Sequence, residues 1–270
     1  MTSLPKARTQ VAAFFDIDGT LIDRPSLERR FFGTLRSRRA IPAQNYFLWL
    51  MRAVQLAPRG LVRIAHANKM YLRGVRVNCD RFFPEGGPTE RETSAFRRRS
   101  SPAPLRAFFP LAMERIAWHA AQDHAVVLVT GTLAPLAHEV ALTLVLRLAV
   151  RGIATPIGVC ATRLEETAGT WTGRILGDAV FAEAKMRAVQ HLAAKAGLDL
   201  ARSYAYGDTA SDRWLLGAVG QPVAVNPSRE LRRIARMLDW PMVWWKQEIR
   251  EDRGATGYTA MGSARTENLG

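Results

Sequence analysis

Cysteine is scarce in this chain: Cys79 and Cys160 are the two among 270 residues. Two thiols are too few for a disulfide framework, and neither sits in a metal-ligand spacing. A reducing cytoplasm is the expected compartment. Histidine is sparse too, with five residues in no triad or metal spacing. There is no Gly-x-Ser-x-Gly elbow and no Walker-type loop, so the serine-hydrolase and P-loop arrangements are excluded. Long apolar runs are also missing. Tyr46 to Ala57 is broken by Arg52, and Ala134 to Val150 by His138, Glu139 and Arg147; both are too short and too polar to span a bilayer. The apolar run after the basic start is cut by Asp16 and Asp18, which a signal peptide would not carry.

Acid is in short supply as well. Lys and Arg number 38 against 24 Asp and Glu, a formal charge of +14. Between Ser26 and Pro110 there are seventeen Lys/Arg and five Asp/Glu, a net +12, so the rest of the chain is nearly neutral. Such a balance attracts phosphorylated substrates, polyanions or anionic lipid surfaces without choosing among them. Hydrophobic residues make up 48% and charged residues 23%. This is the composition of a globular protein with a real core, not of a collagen-like, low-complexity or wholly disordered chain.

Several short apolar runs read as buried strands: Val11 to Phe15, Ala125 to Val129, Pro156 to Ala161, Ser203 to Tyr206 and Pro222 to Val225. Between them lie segments with helical spacing: Leu105 to His124, Ala134 to Arg151, Ala182 to Ala196 closed by Gly197, Ser211 to Ala218, and Ser228 to Leu238 with Ser228 as N-cap. Trp171 to Leu176, among glycines, suggests a hairpin. Strands alternating with helices imply an α/β protein with a doubly wound, Rossmann-like parallel sheet. Residues 24–104 break the alternation. They hold helix-like pieces (Leu27 to Arg39, Asn45 to Leu56, Leu61 to Leu72) and then a polar stretch from Pro84 to Pro104. They read as a mainly helical insertion between two parts of one core, residues 1–23 and 105–245. The polar tail, 246–270, is expected to be disordered.

Three polar clusters follow predicted strands. In Asp16-Ile17-Asp18-Gly19-Thr20-Leu21 the two carboxylates fall on the same side of an extended segment. Close carboxylates need a cation or a shared proton, although Asp-Gly is also a common surface turn. In Val129-Thr130-Gly131-Thr132 a hydroxyl and backbone N–H groups at a helix start suit phosphate oxygens. Tyr206-Gly207-Asp208-Thr209-Ala210-Ser211-Asp212 brings two more carboxylates, and Lys185 on a helix offers a fixed positive charge. Taken singly, each has a plain reading as a turn, a cap or a solvated lysine. Together they lie at the carboxyl ends of strands, where open α/β sheets bind ligands.

This order, D-x-D-G-T, a strand ending in Thr, a Lys, then G-D-x-x-x-D, resembles the haloacid dehalogenase (HAD) superfamily. Within it the chain resembles subfamily IB, the phosphoserine phosphatase-like branch with a helical cap after the first motif. The resemblance implies a HAD-like catalytic core with residues 24–104 as the cap. It implies a magnesium-dependent phosphomonoester hydrolase acting on a small phosphorylated metabolite. Asp16 would attack phosphorus and form an aspartyl-phosphate, and Asp18 would serve as general acid and then base. Mg2+ would be held by Asp16, by the Asp18 backbone carbonyl and by Asp208, with Asp212 close by or acting through water. Thr130, Gly131 and Lys185 would bind phosphoryl oxygens. Two departures stand out. Pro25 occupies the place of a glutamate found in phosphoserine-specific members, which argues against L-phosphoserine more than against catalysis. Ser211 stands where Asn is usual, a mild change.

Other readings remain open at this level. A phosphotransferase would use the same residues, as would a phosphatase of lipid head groups at a membrane surface. A non-catalytic anion-binding module on the scaffold belongs to another class, and the complete residue set argues against it. Arg36, Arg38 and Arg39 beside Tyr46 to Leu50, with Trp240, Trp244 and Trp245, raise contact with anionic membranes. The plainer reading, arginine as surface charge and tryptophan as core, is favoured. Nucleic acid is disfavoured, because Arg97-Arg98-Arg99 comes with no recognition motif. Oligomeric state is not legible.

Overall fold

A computed structural model describes residues 10–59, 66–76 and 108–246. Among them six strands form one parallel sheet in the order β3-β2-β1-β6-β7-β8. They are β1 (Ala12–Phe15), β2 (Ala125–Leu133), β3 (Ile157–Thr162), β6 (Tyr204–Gly207), β7 (Gln221–Val225) and β8 (Met242–Val243). A separate antiparallel hairpin pairs β4 (Leu164–Thr167) with β5 (Thr170–Ile175).

β1 is central, pairing in parallel with β2 on one side and β6 on the other. The chain winds outward in one direction through β2 and β3, then returns and winds the other way from β6 to β8. The order reverses at β1, so the carboxyl end of β1 opens into a crevice. All four β1 residues are fully buried because helices cover both faces. Ala13 and Phe15 pack against α3 (Pro110–Ala121) and α4 (Ala134–Ala149). Ala12 and Phe14 pack against α5 (Glu183–Ala196), α6 (Arg213–Leu216) and α7 (Arg229–Met237). This is the doubly wound α/β core expected from the sequence.

The segment inserted between β1 and α3 includes α1 (Leu27–Ser37) and α2 (Ala43–Leu56). In α1 the Ser26 side chain accepts from the Arg29 N–H, and Leu27, Phe31 and Leu35 make one buried stripe. Phe31 and Leu35 join Tyr71, Leu72 and Trp171 in a third apolar cluster that also takes in Leu133 and Leu136. The inserted segment therefore rests both on the hairpin and on the β2–α4 junction. Backbone bonds reinforce this seat: Gly74 N–H donates to the Trp171 carbonyl at 2.8 Å and Trp171 N–H to the Val75 carbonyl at 3.0 Å.

Several local expectations need correction. β2 runs on past Val129 through Thr130, Gly131 and Thr132 to Leu133, so these residues are strand and not the start of a helix. Their hydrogen-bonding partner strand β3 extends equally far, and Thr162 pairs with Leu133. The predicted helix at Ser211 to Ala218 is a 3-10 turn at Ala210–Asp212 followed by the four-residue α6, because the Asp212 side chain is turned back onto Thr209. Leu61 to Leu72 is not one helix: Met70–Leu72 is a 3-10 turn, and 61–65 lie outside the described residues. β8 had no sequence signal beyond Met242 and Val243 themselves. Pro84 to Pro104, Arg97 to Arg99, Cys79 and the tail from 247 also lie outside the described residues. Trp245 is core, stacking toward Tyr206 at 5.5 Å, whereas Trp244 is exposed.

Candidate active site

Asp16 follows β1 directly. Its backbone N–H donates to the Tyr206 carbonyl at 2.9 Å, which ties it to the end of β6. Gly19 then turns the chain at φ +94°. A side chain there would run into the Asp208 carboxylate, and one at Gly207 into Asp212. Glycine at both places lets carboxylates from two loops enter the same space.

Lys185, on the first turn of α5, is 3% exposed. Its ammonium donates to Asp16 Oδ1 at 2.5 Å and to Asp212 Oδ1 at 2.7 Å. Burial alone would lower its pKa, but Asp16 and Asp212 outweigh that and hold it above the usual value. Asp212 Oδ2 accepts from the Thr209 N–H at 2.9 Å and the Thr209 hydroxyl at 2.8 Å. Burial opposes ionisation of Asp212, yet Lys185 and these donors keep it below the usual carboxylate range. Its oxygens are thus largely occupied, and it serves to orient Lys185 and the loop that carries Asp208.

Asp208 is different. Oδ2 accepts from Arg24 at 2.7 Å, but Oδ1 is buried without a hydrogen-bond partner. Burial, then Asp212, push its carboxyl up to about 6. Burial also raises Asp16 well above its usual value, with Asp212 and Asp208 adding to the shift against Lys185. One carboxylate oxygen each from Asp16, Asp208 and Asp212 lie within 4.8 Å of one another. The Asp18 carboxylate faces elsewhere: it accepts from the Leu27 N–H and from the Thr132 hydroxyl, each at 2.8 Å. Burial raises its pKa against those two donors.

These residues fit a hard divalent cation. The donors are all oxygen, one buried oxygen has no partner, and among the described residues the three carboxylates are paired with two cations, Lys185 and Arg24. A divalent ion removes that excess of negative charge.

The cleft measures about 730 Å³ and is lined by Asp16, Asp18, Thr130, Gly131, Lys185, Asp208 and Asp212. The candidate catalytic, phosphate-binding and metal residues named from the sequence therefore line one cleft. Thr130 is buried, and its hydroxyl accepts from the Thr132 N–H at 3.2 Å.

Sequence reasoning missed other members. Arg24 reaches Asp208 across 184 positions. Thr132 stood in a quoted motif, but its hold on Asp18 was not foreseen. From the inserted segment, Glu28 faces the cleft and accepts from the Lys69 ammonium and, at 2.7 Å, from the Tyr71 hydroxyl. His66 stacks on Phe181 beside Gly131, and burial, then Lys69, lower its pKa to about 4, so it is neutral at physiological pH.

Comparison with known proteins agrees with this arrangement. The sequence profile of the haloacid dehalogenase-like hydrolase family matches residues 13–216. A protein named phosphoserine phosphatase SerB1, from Mycobacterium tuberculosis, is 30% identical over 280 residues, covering 98% of this chain and 79% of that one. A crystal structure of a protein of unknown function from Bordetella pertussis superposes with a TM-score of 0.60 at 27% identity, over 88% of this chain and 100% of that one. A phosphoserine phosphatase solved as a phospho-aspartyl intermediate analogue gives 0.51 at 17% identity, over 90% and 97%, a likeness of fold. Among the described residues no helix is long and apolar enough to cross a membrane. By the family match and by a relative covered to 79% of its length, the chain belongs to the haloacid dehalogenase-like hydrolases and is a phosphoserine phosphatase-like phosphatase.

Proposed function

We propose that the protein hydrolyses small-molecule phosphomonoesters through an aspartyl-phosphate on Asp16, with Mg2+ as cofactor. The observation that carries this is the meeting of Asp16, Lys185, Asp208 and Asp212 at the reversal point of the sheet, with Asp18 alongside.

Lys185 holds one oxygen of Asp16, which orients the carboxylate and leaves the other oxygen to attack phosphorus. The P–O bond to the alcohol breaks as the Asp16–phosphorus bond forms. Asp18, whose burial favours its protonated form, gives its proton to the departing oxygen. The Thr132 hydroxyl and Leu27 N–H fix its position. As a carboxylate, Asp18 then takes a proton from water, which attacks the aspartyl-phosphate and releases inorganic phosphate. Thr130, the Gly131 N–H and Lys185 would hold the equatorial oxygens. Mg2+ would be held by Asp16, the Asp18 carbonyl and Asp208 with Asp212 nearby, and when bound it lessens repulsion between the anionic nucleophile and the phosphate.

In this reading residues 1–23 and 105–245 form the catalytic core and 24–104 the cap that closes it. Support comes from the apolar cluster that seats the inserted segment on Leu133, Leu136 and Trp171, and from Glu28 and His66 facing the cleft. Asp16→Asn should abolish turnover of p-nitrophenyl phosphate, and EDTA should silence the wild type until magnesium is restored. Full activity in either experiment refutes the mechanism. Product analysis with an added alcohol separates hydrolysis from phosphoryl transfer.

A further inference from the structure

A second cleft, of about 1140 Å³, adjoins the first. One wall comes from α2, with Leu48, Met51 and Leu56; Met70 and Trp214 add further apolar surface. The two clefts share His66 and Phe181. Those rings stack with centroids 3.6 Å apart, and a Cβ built on Gly131 would lie 3.5 Å from His66 Nδ1. The place assigned to the phosphoryl group and the apolar wall of the second cleft are thus separated by a ring pair.

The apolar surface does not stop at the cleft. Phe47, Leu50 and Val54 of α2 are 63%, 53% and 62% exposed, and Met51 links them to the cleft wall. Arg52, Gln55 and Arg174 line the same cleft, so its apolar surface is one side and not the whole. The acids there, Asp178 and Glu183, are both paired with Arg187, at 2.9 and 3.4 Å. An apolar side along α2, with the nearby acids engaged by Arg187, suits the hydrocarbon part of an amphiphilic anion whose charged head sits in the first cleft. In the first cleft Glu28 is held by Lys69 and Tyr71, so its charge is committed within the protein.

We infer that the second cleft receives the apolar body of the substrate, which makes phosphomonoesters of long-chain alcohols the substrate class. This rests on the phosphatase reading above: the phosphate enters beside Gly131, and the chain passes the His66–Phe181 pair to lie along α2.

The test compares n-butyl, n-octyl and n-dodecyl phosphate, kept monomeric, with p-nitrophenyl phosphate. Each methylene that enters an apolar cleft is worth up to about fourfold, so kcat/KM should rise at least about 100-fold from butyl to dodecyl, carried by KM. Met51→Glu and Trp214→Ala change half-exposed side chains and should leave the fold intact. Each should cut the dodecyl value about tenfold while butyl and p-nitrophenyl phosphate stay within about twofold. Calorimetry on Asp16→Asn should show dodecyl phosphate binding more tightly than butyl phosphate. Turnover that is flat with chain length overturns this inference and leaves the phosphatase standing. Chain-length dependence untouched by both variants overturns the placement along α2. Absence of all turnover, with length-dependent binding intact, overturns the phosphatase reading and not the cleft.

Discussion

The parallel-sheet region and the segment inserted after β1 each bury a lysine, and the two lysines do different work. Lys185 is 3% exposed and lies between Asp16 and Asp212, two carboxylates that are themselves buried. Lys69 is 1% exposed and pairs with Glu28, which keeps a side-chain exposure of 20% and a second donor in Tyr71. The first pairing concentrates opposed charge in the cleft at the carboxyl end of β1, where the proposed mechanism brings phosphorus. The second fixes one carboxylate of the inserted segment and links α1 to the turn at Met70–Leu72. Burial of a charge is therefore no sign of chemistry by itself. The number of competing charges around it, and the cleft they face, make the difference.

Lys185→Met should break this contrast most severely. It leaves Asp16, Asp208 and Asp212 together without their main counter-charge, so unfolding in EDTA should become easier by about 3–5 kcal/mol. Turnover of p-nitrophenyl phosphate should fall by at least ~100-fold, since a phosphoryl-oxygen donor goes with it. Lys69→Met should cost less, about 1–3 kcal/mol, because Tyr71 still donates to a partly solvated Glu28. Its effect should fall on KM, with kcat kept within about threefold. If Lys69→Met silenced turnover as Lys185→Met does, the division of labour between the regions would be wrong.

The smallest expected effect sharpens the comparison from outside both clefts. His119 on α3 bridges His124 at 2.9 Å and the Tyr206 hydroxyl at 2.8 Å. Burial, then His124 and Arg115, lower its pKa from 6.5 to about 3. The folded chain keeps this imidazole neutral, while the unfolded chain protonates it below about 6.5. Its contribution to stability is full above pH 6.5 and is lost as pH falls toward 3. Near pH 5 the loss is on the order of 2 kcal/mol. His119→Gln should flatten that part of the acid limb in urea titrations at pH 5 and pH 7. An unchanged limb would show that the acid loss arises elsewhere.

Much of the site was legible because its residues sit at strand ends. Val11 to Phe15 and Ser203 to Tyr206 read as buried strands, and in the fold Phe14 pairs with Ala205 beside them. Asp16 and Asp208 are then neighbours by construction. Lys185 was less legible, because a lysine on a helix ordinarily points to water. Its burial follows from α5 packing across the sheet, with Val189 and Ala193 buried along the same helix. Thr130 to Thr132 were expected at a helix start for the opposite reason. Their polar side chains hid a strand that continues through them to Leu133, with Thr162 binding the Gly131 carbonyl at 2.9 Å.

The order of strands and helices, the excess of positive charge in residues 26–110 and the chemistry at each strand end were set by the sequence alone. Periodicity and turn residues record which face of an element is buried and where it stops. Tertiary structure decided what no local pattern carries. It brought Arg24 onto Asp208, turned the Asp18 carboxylate to Thr132, buried Lys69 against Glu28 and stacked His66 on Phe181 between two clefts. The physical reason is separation along the chain. Lys185 and Asp16 stand 169 positions apart, and only the stacking of parallel strands with helices on both faces brings such partners within hydrogen-bond reach.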